Sequence, residues 1–167
     1  MNLRIEPLSK AHFEGLRSAL DTVAREQRFL AFTEAPPEPE CRAFYNSILD
    51  NGWCHRVALV DGSVVGWCDV LPTHGQARAH VGTLGIGLIP SARHRGIGAQ
   101  LMRAAIDAAW AAGLTRIELT VRADNLNAKA LYERMGFEVE GLLRRSFRVA
   151  GVYEDSWTMA LLKDGPM

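Results

Sequence analysis

The spacing of apolar residues predicts a chain of alternating strands and helices. From Phe13 to Val23, apolar residues recur every three or four positions, which predicts a helix over 10–27 with Ser9 as its cap. Over 115–122 they alternate with polar residues, which predicts a strand with one apolar face. The complete set is strands over 3–6, 53–60, 64–71, 79–89, 115–122, 137–147 and 151–162, and helices over 10–27, 38–50, 98–112 and 125–135.

Turn residues between these elements indicate the type of fold. Asp61-Gly62 joins two predicted strands as a hairpin, and Gly113 suits the end of the third helix. The proline-rich stretch 35–39 is too short to divide two domains. We therefore predict an α/β (α+β) fold in which residues 1–167 form a single domain. Its core is one mixed, mostly antiparallel sheet of about seven strands, flanked by about four helices.

Composition and charge argue against several classes of function. Hydrophobic residues make up 48% of the 167 residues and charged residues 23%, which is typical of a soluble globular protein, and no apolar run could span a bilayer. The 19 basic and 19 acidic residues cancel, so no net positive field favours nucleic acid. The first residues lack the pattern of a signal peptide. We expect a cytoplasmic protein with no membrane or nucleic-acid partner.

The three cysteines carry no recognisable metal or disulfide pattern. Cys41, Cys54 and Cys68 show no Cys-x-x-Cys spacing, so we predict neither a metal site nor a disulfide framework. We interpret them as small buried apolar side chains.

The segment from Pro90 to Leu101 carries the strongest chemical signal. A predicted strand passes here through a basic, glycine-containing loop into a helix, and the first N–H groups of a helix have no internal partner. The loop lacks both the Gly-Lys-Ser/Thr ending of a P-loop and the full dinucleotide fingerprint. The pyrophosphate of an acyl-CoA is then the favoured ligand. The residues predicted to hold it are Arg93, His94, Arg95, Gly96, Ile97 and Gly98.

Two motifs resemble those of a known enzyme family. The run Arg93-x-x-Gly96-x-Gly98 matches the Gln/Arg-x-x-Gly-x-Gly/Ala signature of the GNAT superfamily of N-acetyltransferases. One helix and one strand further on, Asn125-x-x-Ala128-x-x-x-Tyr132-x-x-x-Gly136-Phe137 resembles the second motif of that superfamily. The resemblance covers residues 53–163. It implies the acyl-CoA N-acyltransferase fold, in which strands 4 and 5 splay apart, with acetyl-CoA as the donor and no metal.

The resemblance implies that the free edge of the fourth strand holds the donor. The backbone of Ile86, Gly87 and Leu88 would hydrogen-bond the pantetheine arm, and an N–H group near Leu88 would stabilise the oxyanion of the tetrahedral intermediate. Glycines at 82, 85 and 87 suit a strand that a ligand crowds.

The second motif implies a cofactor contact and a general acid. Asn125 and Ala128 would contact the cofactor, although Asn125 is also interpretable as a helix cap alone. Tyr132 would donate a proton to the departing thiolate of CoA. The alternative interpretation of Tyr132 is an aromatic core residue.

The sequence leaves the general base open. A base has to take a proton from the incoming amine, which is mostly ammonium at neutral pH. Ribosomal-protein N-terminal acetyltransferases of the superfamily carry a Glu where this chain has Thr120. The candidates here are Glu118 on the same strand, His80 at the start of the fourth strand and Glu26 near the expected acceptor mouth. Ordered waters are a further alternative.

The sequence around these motifs looks most like bacterial enzymes that N-acetylate free amino acids or similar small molecules. Phe29 and Phe32 would then wall the acceptor pocket, with Glu26 at its mouth. Two alternatives stay open, namely a protein N-terminal or lysine acetyltransferase and a CoA-binding regulatory module without catalysis. A homodimer is compatible with each of these functions.

Overall fold

The computed structural model describes residues 1–164, in which seven strands and four α-helices follow in the predicted order. The strands are β1 (Leu3–Pro7), β2 (Cys54–Val60), β3 (Ser63–Pro72), β4 (Val81–Leu88), β5 (Arg116–Arg122), β6 (Glu138–Val149) and β7 (Val152–Leu162). The helices are α1 (Phe13–Arg25), α2 (Glu38–Asn51), α3 (Ile97–Ala111) and α4 (Leu126–Arg134). Apart from α1, each element begins and ends within two residues of its predicted bounds.

The first helix begins later and ends earlier than predicted. Lys10–His12 form a 3-10 turn, in which the backbone N–H of Ser9 donates a hydrogen bond to His12 Nδ1 at 3.0 Å. α1 ends at Arg25, because Gln27 has a left-handed φ of 58° that a helix cannot accommodate. The connection to α2 therefore spans residues 26–37.

The seven strands form one sheet in the order β1-β2-β3-β4-β5-β7-β6. Every neighbouring pair is antiparallel except β4 and β5, so the sheet is mixed and mostly antiparallel, as predicted. Buried side chains of α3 and α4 pack on one face of the sheet, and those of α1 and α2 pack on the other. Residues on opposite faces of β2 and β3 thus belong to two different hydrophobic cores.

β4 and β5 separate after a short stretch of pairing. Only Val81, Gly82 and Thr83 pair with β5, and the last of these pairs joins Thr83 to Glu118. From residue 84 to residue 88, β4 keeps its pairing with β3 but has no partner on the β5 side. The predicted splay of strands 4 and 5 is confirmed, and it leaves a free backbone edge inside the sheet.

The cysteines are free and buried, as predicted. Among residues 1–164, no three His, Cys, Asp or Glu side chains lie close enough to share a metal ion. No helix in the described part of the chain is both long enough and apolar enough to cross a bilayer.

Candidate active site

The loop between β4 and α3 forms a cradle of free backbone donors. α3 begins at Ile97, directly after Gly96, whose φ of 77° is left-handed, and His94 has a φ of 61°. In residues 1–164, the N–H groups of 94–99 donate to no backbone carbonyl. Free N–H groups at a helix start attract anions, because the helix dipole adds positive potential there. The loop is therefore suited to the phosphates of an acyl-CoA.

Glycines keep this cradle open. No heavy atom lies within 4 Å of the position that a Cβ would take at Gly96. At Gly98 the same position meets Leu131 at 3.4 Å and Leu88 at 3.5 Å, which is ordinary van der Waals contact. A pyrophosphate can thus approach the backbone at Gly96 without meeting a side chain, so the residues present fit the donor that the resemblance implies.

Arg93 is held by protein partners in this structure. Its Nε donates to the backbone oxygen of Leu88 at 3.0 Å, and its two Nη atoms donate to the Glu26 carboxylate at 2.8 and 2.5 Å. Its guanidinium also stacks over the Phe29 ring at 4.8 Å from the centroid. Glu26 balances this charge, and Arg95 is exposed at the same loop, where its guanidinium is a further cation for an anion.

The free edge of β4 faces the opening between β4 and β5, which we call the cleft. Ile86 and Leu88 turn their side chains toward the core of α3 and α4, where both lie close to Gly98. Their backbone groups on the β5 side have no strand partner, as the binding of a pantetheine arm requires. The contact with pantetheine itself stays a prediction.

In the structure, glycines of β4 are required by neighbouring protein side chains. The sequence analysis attributed these glycines to crowding by a ligand. At Gly87 the position of a Cβ is filled by the indole ring of Trp67, and at Gly82 it is filled by Val70 and Leu114. These glycines are needed because neighbouring protein side chains lie across the strand. The sequence could not separate the two explanations, since both call for the same residue.

Tyr132 lies on α4 and packs in the core between the sheet, α3 and α4. The residue is only 7% exposed, its ring lies 6.1 Å from that of Phe137, and burial, followed by the nearby Cys68, raises its pKa. The phenol is therefore protonated at neutral pH. A protonated phenol can act as a general acid.

The remaining motif residues form the start of α4. Asn125 is the cap of this helix, and its Oδ1 accepts a hydrogen bond from the N–H of Ala128 at 3.2 Å. The interpretation of Asn125 as a helix cap is thus confirmed. The contacts of Asn125 and Ala128 with the cofactor stay predictions.

The structure does not bring the two predicted base candidates of strands 4 and 5 to the open end of the cleft. Glu118 lies where β4 and β5 still pair, and its carboxylate accepts from Arg116 at 3.0 Å and Arg78 at 3.2 Å. His80 is exposed before β4, and eight strand residues, or about 26 Å, separate it from Leu88. Neither position favours the role of a base.

A cavity of about 470 Å³ lies on the other face of the sheet, between α1, α2 and the 26–37 connection. This volume is in the range of small-molecule sites. Phe32 lines the cavity, as predicted, whereas Glu26 and Phe29 lie outside it with Arg93. A second concavity, at residues 142–145, lies on the edge strand β6 and away from the cleft.

Two buried polar residues of this cavity were missed by the sequence analysis. Asp69 of β3 and His55 of β2 are cross-strand neighbours, and their side chains line the inner wall. The available signal was an acidic residue inside the otherwise apolar strand 64–71. Charged residues are rarely buried without a partner, which could have marked Asp69 as functional.

A parallel pair of strands that opens beside a cradle of free N–H groups defines an acyl-CoA-dependent acyltransferase site. The comparisons agree, because the sequence profile of the Acetyltransferase (GNAT) family matches residues 19–137. The chain therefore belongs to the GNAT family and is an acetyltransferase.

Relatives within the family act on different acceptors. The chain is 34% identical over 130 residues to an L-amino acid N-acetyltransferase of Escherichia coli, covering 76% of this chain and 80% of that protein. It is 45% identical over 74 residues to the N-alpha-acetyltransferase RimI of Mycobacterium tuberculosis, covering 44% of each chain. A phosphinothricin acetyltransferase of Sinorhizobium meliloti, solved in complex with acetyl-CoA, shares the fold with a TM-score of 0.90 and 23% identity over 99% of this chain and 91% of its own.

Proposed function

We propose that this protein transfers the acetyl group of acetyl-CoA to the primary amine of a free amino acid or a similar small molecule. The observation that carries the proposal is the cavity beside β4, whose volume of about 470 Å³ suits a small acceptor. The 26–37 connection and α2 bound it on the outer side, so the acceptor would lie within the fold. The relative from Escherichia coli, named for free amino acids, supports the same acceptor class.

Each part of the cleft has a role in this reaction. The N–H groups of 94–99 would hold the pyrophosphate, and the free edge of β4 would align the pantetheine arm. A backbone N–H near Leu88 would polarise the acetyl carbonyl and stabilise the developing oxyanion. Tyr132 would give its proton to the departing sulfur.

The amine would attack the acetyl group directly. The cysteines are poorly suited to form an acetyl-enzyme, because burial raises the pKa of Cys41, Cys54 and Cys68. Protonated thiols are poor nucleophiles. Both substrates would then be bound at the same time, with the acceptor entering from the α1–α2 face.

A protein N-terminus is the second candidate acceptor. The stretch shared with an N-alpha-acetyltransferase favours it. The cavity speaks against it, because a polypeptide would have to leave through the 26–37 connection. A regulatory module without catalysis would not need a proton donor at Tyr132.

The proposal also covers the domain organisation, the location and the oligomeric state of the protein. We propose that residues 1–167 act as one domain, in the cytoplasm, where acetyl-CoA is available. A homodimer stays a prediction, and sedimentation equilibrium measures it directly.

The acceptor class is tested with matched amines. We expect kcat/KM for a free amino acid to exceed that for a tripeptide with the same N-terminal residue by about tenfold or more, because only the free amino acid fits inside the cavity. Thiol release measures both, and mass spectrometry of the product shows which amine is acetylated. The N-acetylated amino acid serves as the control without a free amine. A preference for the tripeptide would contradict the proposal and favour protein acetylation.

A further inference from the structure

The face of β4 toward α1 and α2 carries no side chains beside the cleft. There β4 presents Gly85 and Gly87, which pair with Asp69 and Trp67 of β3. Asp69 Oδ1 lies 3.2 Å from the position of a Cβ on Gly85, and the Trp67 indole fills that position on Gly87. Two side chains of β3 therefore lie across β4 toward its free edge. An amine that reaches this edge from the α1–α2 cavity meets them first.

Asp69 is a buried carboxylate that forms no ion pair with a Lys or Arg side chain in residues 1–164. Its side chain is 13% exposed and lines the cavity, and the Nε2 atom of His55 lies 3.9 Å from Oδ2, which is too far for a hydrogen bond. An ionised carboxylate in an apolar site is costly unless a cation balances it. The ammonium group of an acceptor would supply that cation.

His55 does not supply the positive charge that would balance the Asp69 carboxylate. The side chain is 2% exposed, its Nδ1 has no hydrogen-bond partner among the described residues, and burial, with Arg56 and His12, lowers its pKa to about 4. His55 is therefore neutral at pH 7. Burial raises the pKa of Asp69 to about 7, against a lowering by the Gly85 backbone, so its carboxyl can exchange a proton near neutral pH.

We propose that Asp69 binds the amino group of the acceptor and takes its proton, and that the apolar wall of the cavity selects acceptors with an apolar side group. This inference rests on the proposed acetyl transfer, and it names the base and the acceptor class of that site. The wall consists of Leu16, Leu20, Leu30, Phe32 and Phe44.

The proton transfers balance as follows. The ammonium gives one proton to the Asp69 carboxylate, and the freed lone pair forms the N–C bond to the acetyl carbon. As the C–S bond breaks, the sulfur takes the proton of Tyr132. The nitrogen loses a second proton, which restores the Tyr132 hydroxyl through solvent, and Asp69 releases its proton to solvent. Amide, CoA thiol and one free proton are the products.

The test compares Asp69→Asn with the exposed Asp107→Asn on α3, using whichever amine the wild type acetylates best. We expect Asp69→Asn to lower kcat/KM for the amine by about 100-fold or more, which is the contribution of a general base, and to leave the Kd of acetyl-CoA within about threefold. Asp107→Asn should match the wild type. An Asp69→Asn enzyme with kcat/KM within threefold of the wild type overturns the proposal.

The pH profile separates a base from a packing residue. In the wild type, kcat/KM should rise with pH through about 7 as Asp69 loses its proton, and this limb should vanish in Asp69→Asn. The other titratable groups of the cavity are His55 of β2 and Glu40, Cys41 and Tyr45 of α2, and Arg17 of α1 acts on the last two. A limb that persists in Asp69→Asn would overturn the role of Asp69 as the base.

The pH dependence of the Tm checks whether the Asp69→Asn variant is folded. The raised pKa means that the folded state favours the protonated carboxyl, so the wild type should lose stability as pH rises from about 4 to about 7. Asp69→Asn lacks this loss, so its Tm relative to the wild type should be higher at pH 8 than at pH 5. The variant is therefore expected to fold at the assay pH.

The outcomes distinguish this inference from the proposed function. A wild type that acetylates only peptides overturns the free-amino-acid proposal, while Asp69→Asn on that peptide still decides the role of Asp69. If no amine turns over, calorimetry of amine binding to the CoA complex decides, because equal affinity of the wild type and Asp69→Asn for the amine overturns the inference.

The apolar wall of the cavity is tested with amino acids of different side groups. The wild-type kcat/KM should be at least tenfold higher for leucine than for glycine. Equal values would overturn the selection of apolar side groups.

Discussion

Replacing Gly96 by glutamate should weaken acetyl-CoA binding by about 100-fold or more. The position of a Cβ at Gly96 lies in open space over the N–H groups of 94–99, so the new carboxylate would lie where the pyrophosphate is expected. Two like charges about 5 Å apart at the protein surface repel by roughly 3 kcal/mol, which corresponds to about 100-fold in affinity. Isothermal titration of acetyl-CoA measures the loss.

Gly113→Glu is the matched control. Gly113 lies at the other end of α3, also has a left-handed φ, of 95°, and also has open space around its Cβ position. Both substitutions carry a similar backbone strain, of about 1–2 kcal/mol, so thermal melting should show similar losses of stability. Only Gly96→Glu should lose affinity for acetyl-CoA. Equal binding by both variants would show that the donor does not lie against this loop.

Replacing Tyr132 by phenylalanine should lower kcat by about 100-fold, which is the lower range for a general acid. The variant keeps the buried ring and removes only the hydroxyl. The stability should therefore change by less than about 1 kcal/mol. Thiol release at saturating substrate measures kcat, and titration should give a Kd for acetyl-CoA within about threefold of the wild type.

Tyr153→Phe controls for the loss of a phenol elsewhere. Tyr153 is half exposed on β7, outside the stretch that pairs with β5, and it stacks on Arg145 and Arg148. Its replacement should leave kcat unchanged. An equally small effect of Tyr132→Phe would support the alternative interpretation, in which Tyr132 is only an aromatic core residue.

Local features of this protein could be predicted from the sequence, because local chemistry determines them. The loop from Arg93 to Gly98 is recognisable from the residue types that a turn into a helix requires, and the cap at Asn125 is a contact between near neighbours. The order of strands and helices follows from hydrophobic periodicity alone. The family signature then places the splay between β4 and β5.

Contacts between distant segments could not be predicted in this way. The ion pair of Glu26 with Arg93 joins residues 67 positions apart, and it gives both side chains a protein partner that the sequence did not indicate. Trp67 lies against Gly87 only because of the register between β3 and β4. The position of Asp69 beside a cavity depends on the same register and on the path of the 26–37 connection. A single sequence contains no direct record of either.

Initial rates of thiol release, measured while acetyl-CoA and a free apolar amino acid are varied together, test direct transfer within one ternary complex. The arrangement of the cleft and the cavity predicts reciprocal plots that intersect, since both substrates must be bound before the amine attacks. Parallel lines would indicate an acetyl-enzyme and contradict direct attack. Absence of thiol release with every amino acid would contradict the proposed acceptor class.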